Sequence, residues 1–380
     1  MNILHLTTHL NQGGITNYIH SLIGPFEKHG CKLSVLSSGG DLEPLFIESG
    51  AQVYRLPIRT KSELNPMLYA AIPRAIRMIR EQRVDVLHAH TRVTHVMAYW
   101  IQRMIGIPVV TTCHGFYKRR LGRRLIPAWG DYVIAISAPV GDHLRDDFKV
   151  PVSKIRMINN GVNLTEIDAL YASVNPVEQK KKLGILEEDV VIGVVARLVS
   201  DKGHEYLIRA MEELSRRFPK IKLLIVGDGN YRAKLEELVR SLRLERTVIF
   251  TGNVPHREVM KVLGAIDIFA LPATWREGFG LSIVEAMACY KPVIVTNIWS
   301  LNSLVQNDVT GILIEPKQVE PLVEGISRLV LDPAARFRIG RAAREMTERF
   351  FSIQRMADEI YRVYEELVDG RKAESGGAGK

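Results

Sequence analysis

The sequence predicts an α/β protein made of two Rossmann-like, doubly wound domains, each built on a parallel β-sheet. Three observations lead to this fold class. Short apolar runs rich in β-branched residues alternate with longer amphipathic stretches along most of the chain. This rhythm is typical of parallel strands that helices cover on both faces. The runs form two successive series, and 380 residues are too many for one ordinary core.

The predicted strands are the short apolar runs. In the first half of the chain they are Ile3–Thr7, Leu33–Ser37, Val53–Leu56, Val84–His88, Pro108–Thr112, Tyr132–Ile136 and Ile155–Ile158. In the second half they are Val190–Ala196, Lys222–Val226, Val248–Thr251, Ile268–Leu271, Pro292–Thr296 and Gly311–Ile314. Several stretches between them have apolar residues at helical spacing, as at Tyr18, Leu22 and Phe26. Strand and helix therefore alternate in both halves.

The boundary between the domains is predicted in a polar, loop-like segment that begins near residue 159. We assign residues 1–165 to the N-terminal domain and residues 170–350 to the C-terminal domain. A last helix over 352–368 has one apolar side, and no strand follows it. The tail over 369–380 is rich in glycine and charge, and we expect it to be disordered.

Composition excludes several classes of protein. The chain is 46% apolar and 24% charged, as in folded globular proteins. Its apolar runs are too short to span a membrane, and the first run lacks the basic flank of a signal peptide. The three cysteines lie far apart, which fits a reducing cytosol and argues against disulfides or a cysteine metal site. We therefore expect a cytoplasmic protein.

The net charge of +9 is unevenly distributed. Residues 1–170 hold 20 Lys and Arg against 13 Asp and Glu, a difference of +7. The remaining residues hold 31 against 29, a difference of +2. The basic excess predicts an anionic partner for the first half, or else serves general solubility.

The strongest candidate site lies between Glu277 and Glu285. A buried strand ends before it, Gly278 and Gly280 allow a ligand to approach the backbone, and a helix begins near Leu281. Free amides and the positive end of the helix dipole bind anions, so the segment predicts a diphosphate site. The two carboxylates can accept hydrogen bonds from hydroxyls on either side of a diphosphate, as in a nucleotide sugar. The alternative is a capped helix with one buried polar residue.

Two other loops between a strand and a helix suit phosphate. Arg197 follows a strand and Lys202 comes five residues later, before a helix that opens near residue 204. Two cations there suit a diphosphate leaving group, which gains charge as its bond breaks. Gly13 and Gly14 lie between the first strand and the first helix, where they form either an anion-binding nest or an ordinary turn.

His114 follows a buried strand at a ligand-facing end of the first domain. It can donate to a sugar hydroxyl or stabilise charge at the reacting centre, or else it is structural. A basic segment follows, with apolar residues interleaved, and it consists of Lys118, Arg119, Arg120, Arg123 and Arg124. This segment suits anionic lipid headgroups or a phosphorylated acceptor, or else it is a solvated loop.

Three patterns argue against other chemistries. Gly227 and Gly229 do not complete a dinucleotide fingerprint, because Arg232 occupies the third glycine position. The chain has no Asp-x-Asp, which removes the usual carboxylate pair for a metal on a diphosphate. His88 and His90 share one face of a strand, but no carboxylate cluster accompanies them, so we expect no metal there.

In their order along the chain, these segments resemble the retaining, metal-independent glycosyltransferases of the GT-B architecture, group 1 type. The resemblance covers nearly the whole chain, and the glutamate pair with seven residues between its members is its most specific part. It implies two Rossmann-like domains that face a central cleft, with the last helix crossing back to the first domain.

The resemblance also implies a role for each candidate residue. Arg197 and Lys202 would bind the donor diphosphate, Glu285 the ribose and Glu277 a sugar hydroxyl. The diphosphate would be cradled by the amides of Phe279, Gly280 and Leu281, and the base would contact the backbone of Asn253 and Val254. Gly13 and Gly14 would approach the phosphate or the acceptor on closure. His114 would contact the sugar near the reacting carbon. The catalytic group would thus be His114, Glu277, Arg197 and Lys202.

The predicted function is transfer of a sugar from a nucleotide-diphosphate-sugar, with UDP favoured, to an envelope lipid or polysaccharide hydroxyl. The resemblance implies retention of configuration, no metal or other cofactor, and an anionic acceptor on the first domain. The partners would be the donor, this acceptor and the anionic inner face of the cell membrane, to which the protein would bind peripherally. Nucleic acid is not an expected partner. Alternatives are a nucleotide-sugar 2-epimerase, an NAD-dependent oxidoreductase and a non-catalytic nucleotide-sugar-binding protein.

Overall fold

The computed structural model describes residues 1–60, 62–119 and 121–377. It divides into two compact units, which we call the first and the second domain. The first domain contains Met1–Gly161 together with the segment that begins at Ile353, and the second domain contains Val162–Ser352.

The first domain is a seven-stranded parallel sheet between layers of helices. Its strands are β1 (Asn2–Leu6), β2 (Lys32–Ser37), β3 (Gln52–Arg55), β4 (Val86–Ala89), β5 (Val109–Cys113), β6 (Tyr132–Ala135) and β7 (Ile155–Met157). Its first seven helices are α1 (Gly14–Ser21), α2 (Ile23–Lys28), α3 (Glu43–Glu48), α4 (Pro66–Glu81), α5 (Arg92–Ile105), α6 (Leu121–Leu125) and α7 (Ala138–Phe148). The strands lie in the order β3-β2-β1-β4-β5-β6-β7, and all neighbours are parallel.

The second domain has the same type of sheet with six strands. They are β8 (Val190–Val195), β9 (Ile221–Val226), β10 (Val248–Gly252), β11 (Ile268–Leu271), β12 (Val293–Thr296) and β13 (Gly311–Ile314). Its helices are α8 (Leu164–Ala172), α9 (Pro176–Lys182), α10 (His204–Arg217), α11 (Arg232–Ser241), α12 (His256–Gly264), α13 (Leu281–Ala288), α14 (Glu320–Leu331) and α15 (Pro333–Phe350). The order is β10-β9-β8-β11-β12-β13, again all parallel. The predicted fold class is confirmed.

The two faces of the first sheet have separate apolar cores, because successive residues of a strand point to opposite faces. From β1, Ile3 packs with Phe26 of α2 on one face, whereas Leu4 packs with α4 and α5 on the other. Every residue of β4 and β5 is buried. Burial on both faces explains why these strands are almost continuously apolar in sequence.

The last helix, α16 (Ile353–Gly377), belongs to the first domain. Met356, Ile360 and Tyr364 on this helix are buried in the same core as Ile3 and Phe26. The apolar side of the helix, which we recognised in the sequence, therefore covers one face of the first sheet.

The expected disorder of the tail from residue 369 is wrong for the part that the structure describes. The helix continues to Gly377. The guanidinium of Arg371 anchors this extension, since it donates to the Asp131 carboxylate at 3.0 Å and also to the carbonyl of Gly106. Residues 378–380 lie outside the described residues.

The order of the strands fixes where a ligand can bind. In the second sheet, β8 lies between β9 and β11, so the chain changes direction across the sheet at β8 and β11. Loops that leave these two strands lead to opposite faces and open a crevice at the carboxyl edge. The first sheet has the same arrangement at β1 and β4. Ligands of doubly wound sheets bind at such positions.

Candidate functional site

A tight glycine turn positions Lys202 in the second domain. Lys202 ends a short 3-10 turn after β8, and Gly203 follows with a φ of 72°. A Cβ on Gly203 would lie 1.8 Å from the carbonyl oxygen of Pro272, so a larger residue cannot occupy this position. The amide of Thr274 donates to the carbonyl of Asp201 at 2.8 Å. The loop after β8 is therefore held against the loop after β11.

Lys202 and Glu277 form an ion pair across these two loops. The Lys202 ammonium donates to the Glu277 carboxylate, and the two side chains are only 16% and 20% exposed. The amide of Glu277 donates to the hydroxyl of Ser300 at 3.2 Å, and Ser300 is buried. Glu277 is thus held at both its backbone and its side chain. The ammonium also neutralises a carboxylate that would otherwise repel an anionic ligand.

The N-terminus of α13 lies on the same loop as Glu277. Gly280 precedes the helix with a φ of 96°, a left-handed conformation that favours glycine. The first intrahelical bond runs from the amide of Ile283 to the carbonyl of Gly280 at 3.0 Å. The amides before Ile283 have no partner within the helix and can bind an anion. Phe279 is buried, and its ring meets that of Phe351 edge-on at 5.9 Å.

Glu285 lies in the second turn of α13 and is only 6% exposed. Arg197 is exposed at the end of β8, the strand whose loop also carries Lys202. Both lie at the switch point of the second sheet. Their contacts with the ribose and the diphosphate remain predictions.

A second glycine turn supports the Arg197 loop, and our sequence analysis missed this role. A Cβ on Gly227 would lie 2.1 Å from the carbonyl oxygen of Ala196, and one on Gly229 would lie 2.3 Å from that of Leu198. The amide of Leu198 in turn donates to the carbonyl of Asp228 at 3.0 Å. In the sequence these glycines stand as an incomplete dinucleotide fingerprint, which does not predict this contact. The useful signal was a Gly-x-Gly directly after a buried strand.

Asn253 and Val254, the predicted base contacts, lie in the loop after β10. The amide of Gly227 donates to the carbonyl of Gly252 at 2.9 Å, which joins this loop to the glycine turn after β9. Because β10 is two strands from β8, the loop lies about 10 Å along the sheet edge from the Arg197 loop.

Gly13 and Gly14 do not form the nest that we expected. Gly13 is extended, with φ 168° and ψ 164°, and Gly14 is already the first residue of α1. Both glycines are exposed, and a Cβ on Gly14 would meet nothing within 4 Å. They leave the N-terminus of α1 open to a ligand without themselves shaping a turn.

His114 follows β5 directly and is partly exposed. Its Nε2 lies 3.1 Å from Nδ1 of His90, and its ring meets that of Tyr18 edge-on at 4.8 Å. Burial lowers the pKa of His114 to about 3. The imidazole is therefore neutral near pH 7, so it acts as a hydrogen-bonding group rather than as a cation.

The basic segment after His114 is only partly at the surface. Lys118 and Arg119 are exposed, and Arg119 donates to the Asp147 carboxylate. Arg123 does not belong to an exposed basic surface, because its guanidinium stacks 3.8 Å above the Tyr117 ring and burial lowers its pKa. Arg120 lies outside the described residues, and Arg124 is described only as part of the short helix α6. Among the described helices, none is long and apolar enough to cross a membrane.

The site defines a class of protein. A Rossmann-type sheet that gathers a lysine, an arginine, a carboxylate and a helix N-terminus at its switch point has the groups that can bind a nucleotide diphosphate. Two such sheets in one chain are the architecture of the GT-B enzymes.

Comparison with known proteins gives the family. Residues 177–346 match the family of glycosyl transferases group 1, and residues 12–166 match Glycosyltransferase Family 4. Together these matches include most of both domains, and they support a glycosyltransferase of the GT-B type.

Three similar proteins illustrate the relationship. An uncharacterized glycosyltransferase of Methanocaldococcus jannaschii is 27% identical over 93% of this chain and 94% of its own. A UDP-Gal:alpha-D-GlcNAc-diphosphoundecaprenol alpha-1,3-galactosyltransferase of Escherichia coli is 27% identical over 77% of this chain and 78% of its own. The crystal structure of a glycosyltransferase from Rickettsia africae is 24% identical and superposes with a TM-score of 0.85, covering 97% of this chain and 98% of that one.

Proposed function

We propose that this glycosyltransferase moves a sugar from a UDP-sugar to a hydroxyl of a lipid or polysaccharide acceptor, with retention of configuration and without a metal. The observation that carries the proposal is the Lys202–Glu277 pair beside the N-terminus of α13. It combines a cation, free amides and a carboxylate within one short stretch of the sheet edge. This combination suits a diphosphate next to a sugar hydroxyl.

Each donor group has a partner in the proposal. Lys202 and Arg197 bind the diphosphate together with the amides of Phe279, Gly280 and Leu281. Glu277 accepts a hydrogen bond from a sugar hydroxyl, and Glu285 accepts one from the ribose. The loop of Asn253 and Val254 contacts the base through its backbone. The loop's position, about 10 Å along the edge from Arg197, supports this assignment because the base and the diphosphate lie at opposite ends of the ribose.

The proposed chemistry needs no protein nucleophile. The bond between the anomeric carbon and the diphosphate oxygen breaks, and the diphosphate leaves with the electron pair. The acceptor oxygen bonds to the same face of the sugar, and its proton passes to the leaving phosphate. Lys202, Arg197 and the helix dipole stabilise the charge that develops on the diphosphate, which is the role a divalent metal has in other enzymes.

The acceptor is proposed to bind the first domain, which carries most of the basic excess. The galactosyltransferase relative acts on a diphosphoundecaprenol-linked sugar by its name, which supports a lipid-linked, anionic acceptor. A nucleotide-sugar 2-epimerase is not favoured, because both domains match glycosyltransferase families.

Peripheral membrane binding is part of the proposal. Lys118 and Arg119 are exposed, as are the apolar side chains of Leu64 and Met67 around the start of α4 and of Leu125 at the end of α6. Arg92 links these two segments, since its guanidinium donates to the Glu63 carboxylate at 3.3 Å and to the carbonyl of Gly122 at 3.0 Å. Cations beside apolar side chains suit the surface of an anionic bilayer.

Vesicle binding tests the membrane contact. The variant Lys118→Glu/Arg119→Glu should bind anionic phosphatidylglycerol vesicles at least about 30-fold more weakly than the wild type, since each of the two lost cations contributes about 1 kcal/mol. Charge reversal of Lys220 in the second domain is the control and should have no effect. Equal binding by all three proteins would show that this surface does not contact the membrane.

A thermal-shift screen across nucleotide sugars tests the donor. A ligand that binds only the folded protein raises its melting temperature, so UDP and UDP-sugars should raise it at millimolar concentration. A shift with other nucleotides and none with UDP compounds would contradict the proposed base. No shift with any nucleotide sugar would contradict the donor site itself. Interconversion of UDP-GlcNAc with its C2 epimer, without acceptor, would indicate an epimerase.

A further inference from the structure

Four histidines lie together in the first domain, beneath the carboxyl edge of its sheet. His5 is on β1 and His88 is its neighbour on β4, while His90 and His114 follow β4 and β5. The side chains of His5, His88 and His90 are completely buried. Burying an imidazole costs free energy unless its nitrogens are hydrogen-bonded, so the hydrogen bonds of the cluster indicate what it does.

Three of these imidazoles form a continuous chain of hydrogen bonds. Nδ1 of His5 lies 2.8 Å from Nε2 of His90, and Nδ1 of His90 lies 3.1 Å from Nε2 of His114. Burial lowers the pKa of His5 to about 3 and holds that of His90 well below its usual value. Each ring is therefore neutral, with one N–H donor and one acceptor nitrogen.

A neutral chain allows only two arrangements of its protons. In the first, His5 donates to His90 and His90 donates to His114, which leaves the proton of His114 on Nδ1. In the second, His114 donates to His90 and His90 donates to His5, which leaves an N–H on Nε2 of His5. That nitrogen is buried and has no hydrogen-bond partner. An orphaned buried N–H is rarer than an unpaired acceptor, so the first arrangement is favoured.

The same histidines are close enough to suggest a metal site. The candidate ligand nitrogens of His5, His88 and His90 all lie within 4.8 Å of one another. However, both nitrogens of His88 are already bonded, to the Tyr364 hydroxyl at 2.5 Å and to the Thr112 hydroxyl at 2.6 Å. The group includes no carboxylate or thiolate to balance a divalent charge in a buried position. A hydrogen-bonded network accounts for the contacts better than a metal centre.

We propose that His5 and His90 are positioning residues that hold His114 in the tautomer protonated on Nδ1. His114 then presents an N–H donor, and not a lone pair, to a hydroxyl of the transferred sugar. The sugar contact rests on the glycosyltransferase activity proposed above, but the tautomer does not. The imidazole chain thus fixes that His114 is the donor in its hydrogen bond, and it does so without a charged group. The formal charges of the reaction then lie on the donor diphosphate and on the cations that bind it.

Nitrogen NMR of the full chain labelled with ¹⁵N-histidine tests the proposal directly. The chemical shifts and couplings of the two ring nitrogens distinguish the tautomers, and the spectrum of His114→Gln identifies the His114 signals. The wild type at pH 7.5 should show His114 protonated on Nδ1. Protonation on Nε2 would overturn the proposal, as would one equivalent of bound zinc in the purified protein together with shifted His90 signals.

Two variants of His90 separate positioning from simple packing. His90→Leu removes both hydrogen bonds and should leave His114 as a mixture of tautomers, with kcat lowered about tenfold and KM for the donor nearly unchanged. His90→Asn keeps a donor near the position of Nδ1 and should restore most of the rate and the tautomer. An unchanged His114 tautomer in His90→Leu would contradict the proposal. If His90→Leu fails to fold, the wild-type spectrum alone decides. A protein with the stated tautomer but no turnover of any nucleotide sugar would instead contradict the proposed function.

Discussion

Lys202 and Glu277 show how two side chains of opposite charge can serve one ligand. A carboxylate near a diphosphate repels it, and a lone lysine in a loop is usually solvated. Here the ammonium and the carboxylate meet, both largely shielded from solvent, and Ser300 holds the Glu277 backbone from below. The pair brings a cation for phosphate and an acceptor for a hydroxyl to adjacent positions.

Substitutions of this pair should remove activity and leave the fold intact. Glu277→Ala and Lys202→Ala should each lower donor turnover at least about 100-fold, because each removes a charge-assisted contact to the donor. Each variant leaves one charge of a largely shielded ion pair without its partner, so the melting temperature should fall by several degrees while the cooperative unfolding transition remains. Release of UDP measures turnover, and Lys220→Ala is the control for loss of a surface lysine. Unchanged turnover in both variants would refute the site assignment.

At the scale of elements, glycine turns bring the loops of the second domain into contact. Gly203 presses the Lys202 turn against the end of β11, while Gly227 and Gly229 press the turn after β9 against the Arg197 loop. These contacts are between backbones, with no room for a side chain. These backbone contacts join the loops into one continuous surface at the sheet edge, and a nucleotide can bind along this surface.

Gly203→Ala should displace Lys202 and weaken donor binding about tenfold or more. The added Cβ would overlap the carbonyl oxygen of Pro272. The backbone shift that relieves this overlap should lower the free energy of unfolding by about 1–3 kcal/mol. A positive φ adds about 1 kcal/mol for any residue other than glycine. Gly184→Ala is the matched control, since Gly184 has a φ of 71° but nothing within 4 Å of a Cβ. Calorimetric titration with UDP measures the affinity, and urea unfolding measures the stability. Equal effects in the two variants would show that the contact with Pro272 is unimportant.

At the scale of the whole molecule, buried neutral histidines make the fold sensitive to acid. Burial lowers the pKa of His5 and His95 to about 3 and that of His204 to about 4, against 6.5 in the unfolded chain. The unfolded chain therefore binds more protons than the folded one as the pH falls below 6.5. Stability rises with pH over this range and is lost towards acid.

Between pH 7 and pH 5.5 the free energy of unfolding should fall by about 1 kcal/mol for each of these histidines. Urea denaturation at the two pH values, followed by tryptophan fluorescence and by circular dichroism, measures the change. His95→Leu should reduce the dependence on pH, because it removes one of the groups that the unfolded chain protonates. Stability that is constant or greater at pH 5.5 would contradict the neutral, buried state of the cluster.

The sequence predicted the sheets well and the contacts between distant loops poorly. Buried parallel strands are apolar on both faces, so all of those described were visible as short runs, and their predicted ends lie within two residues of the observed ones. The helix after Gly280 could be predicted in the same way, because its glycines and its strand are local features.

Contacts across the sheet were not predictable, because they depend on the order of the strands. Lys202 meets Glu277 only because β11 lies beside β8, and His5 meets His90 only because β4 lies beside β1. The basic run after His114 could not reveal that Arg123 turns inward onto Tyr117. In each case the sequence identifies the residue type, while the fold selects its partner.

We propose that the edge of the second sheet, at β8 and β11, binds the diphosphate of a nucleotide sugar. Titration calorimetry of UDP onto the wild type and onto Arg197→Ala/Lys202→Ala tests it most directly. The wild type should bind UDP at one site, and the double variant should bind at least about 30-fold more weakly, because two charge-assisted contacts are lost. Equal affinity of the two proteins for UDP, with both fully folded, would contradict the claim.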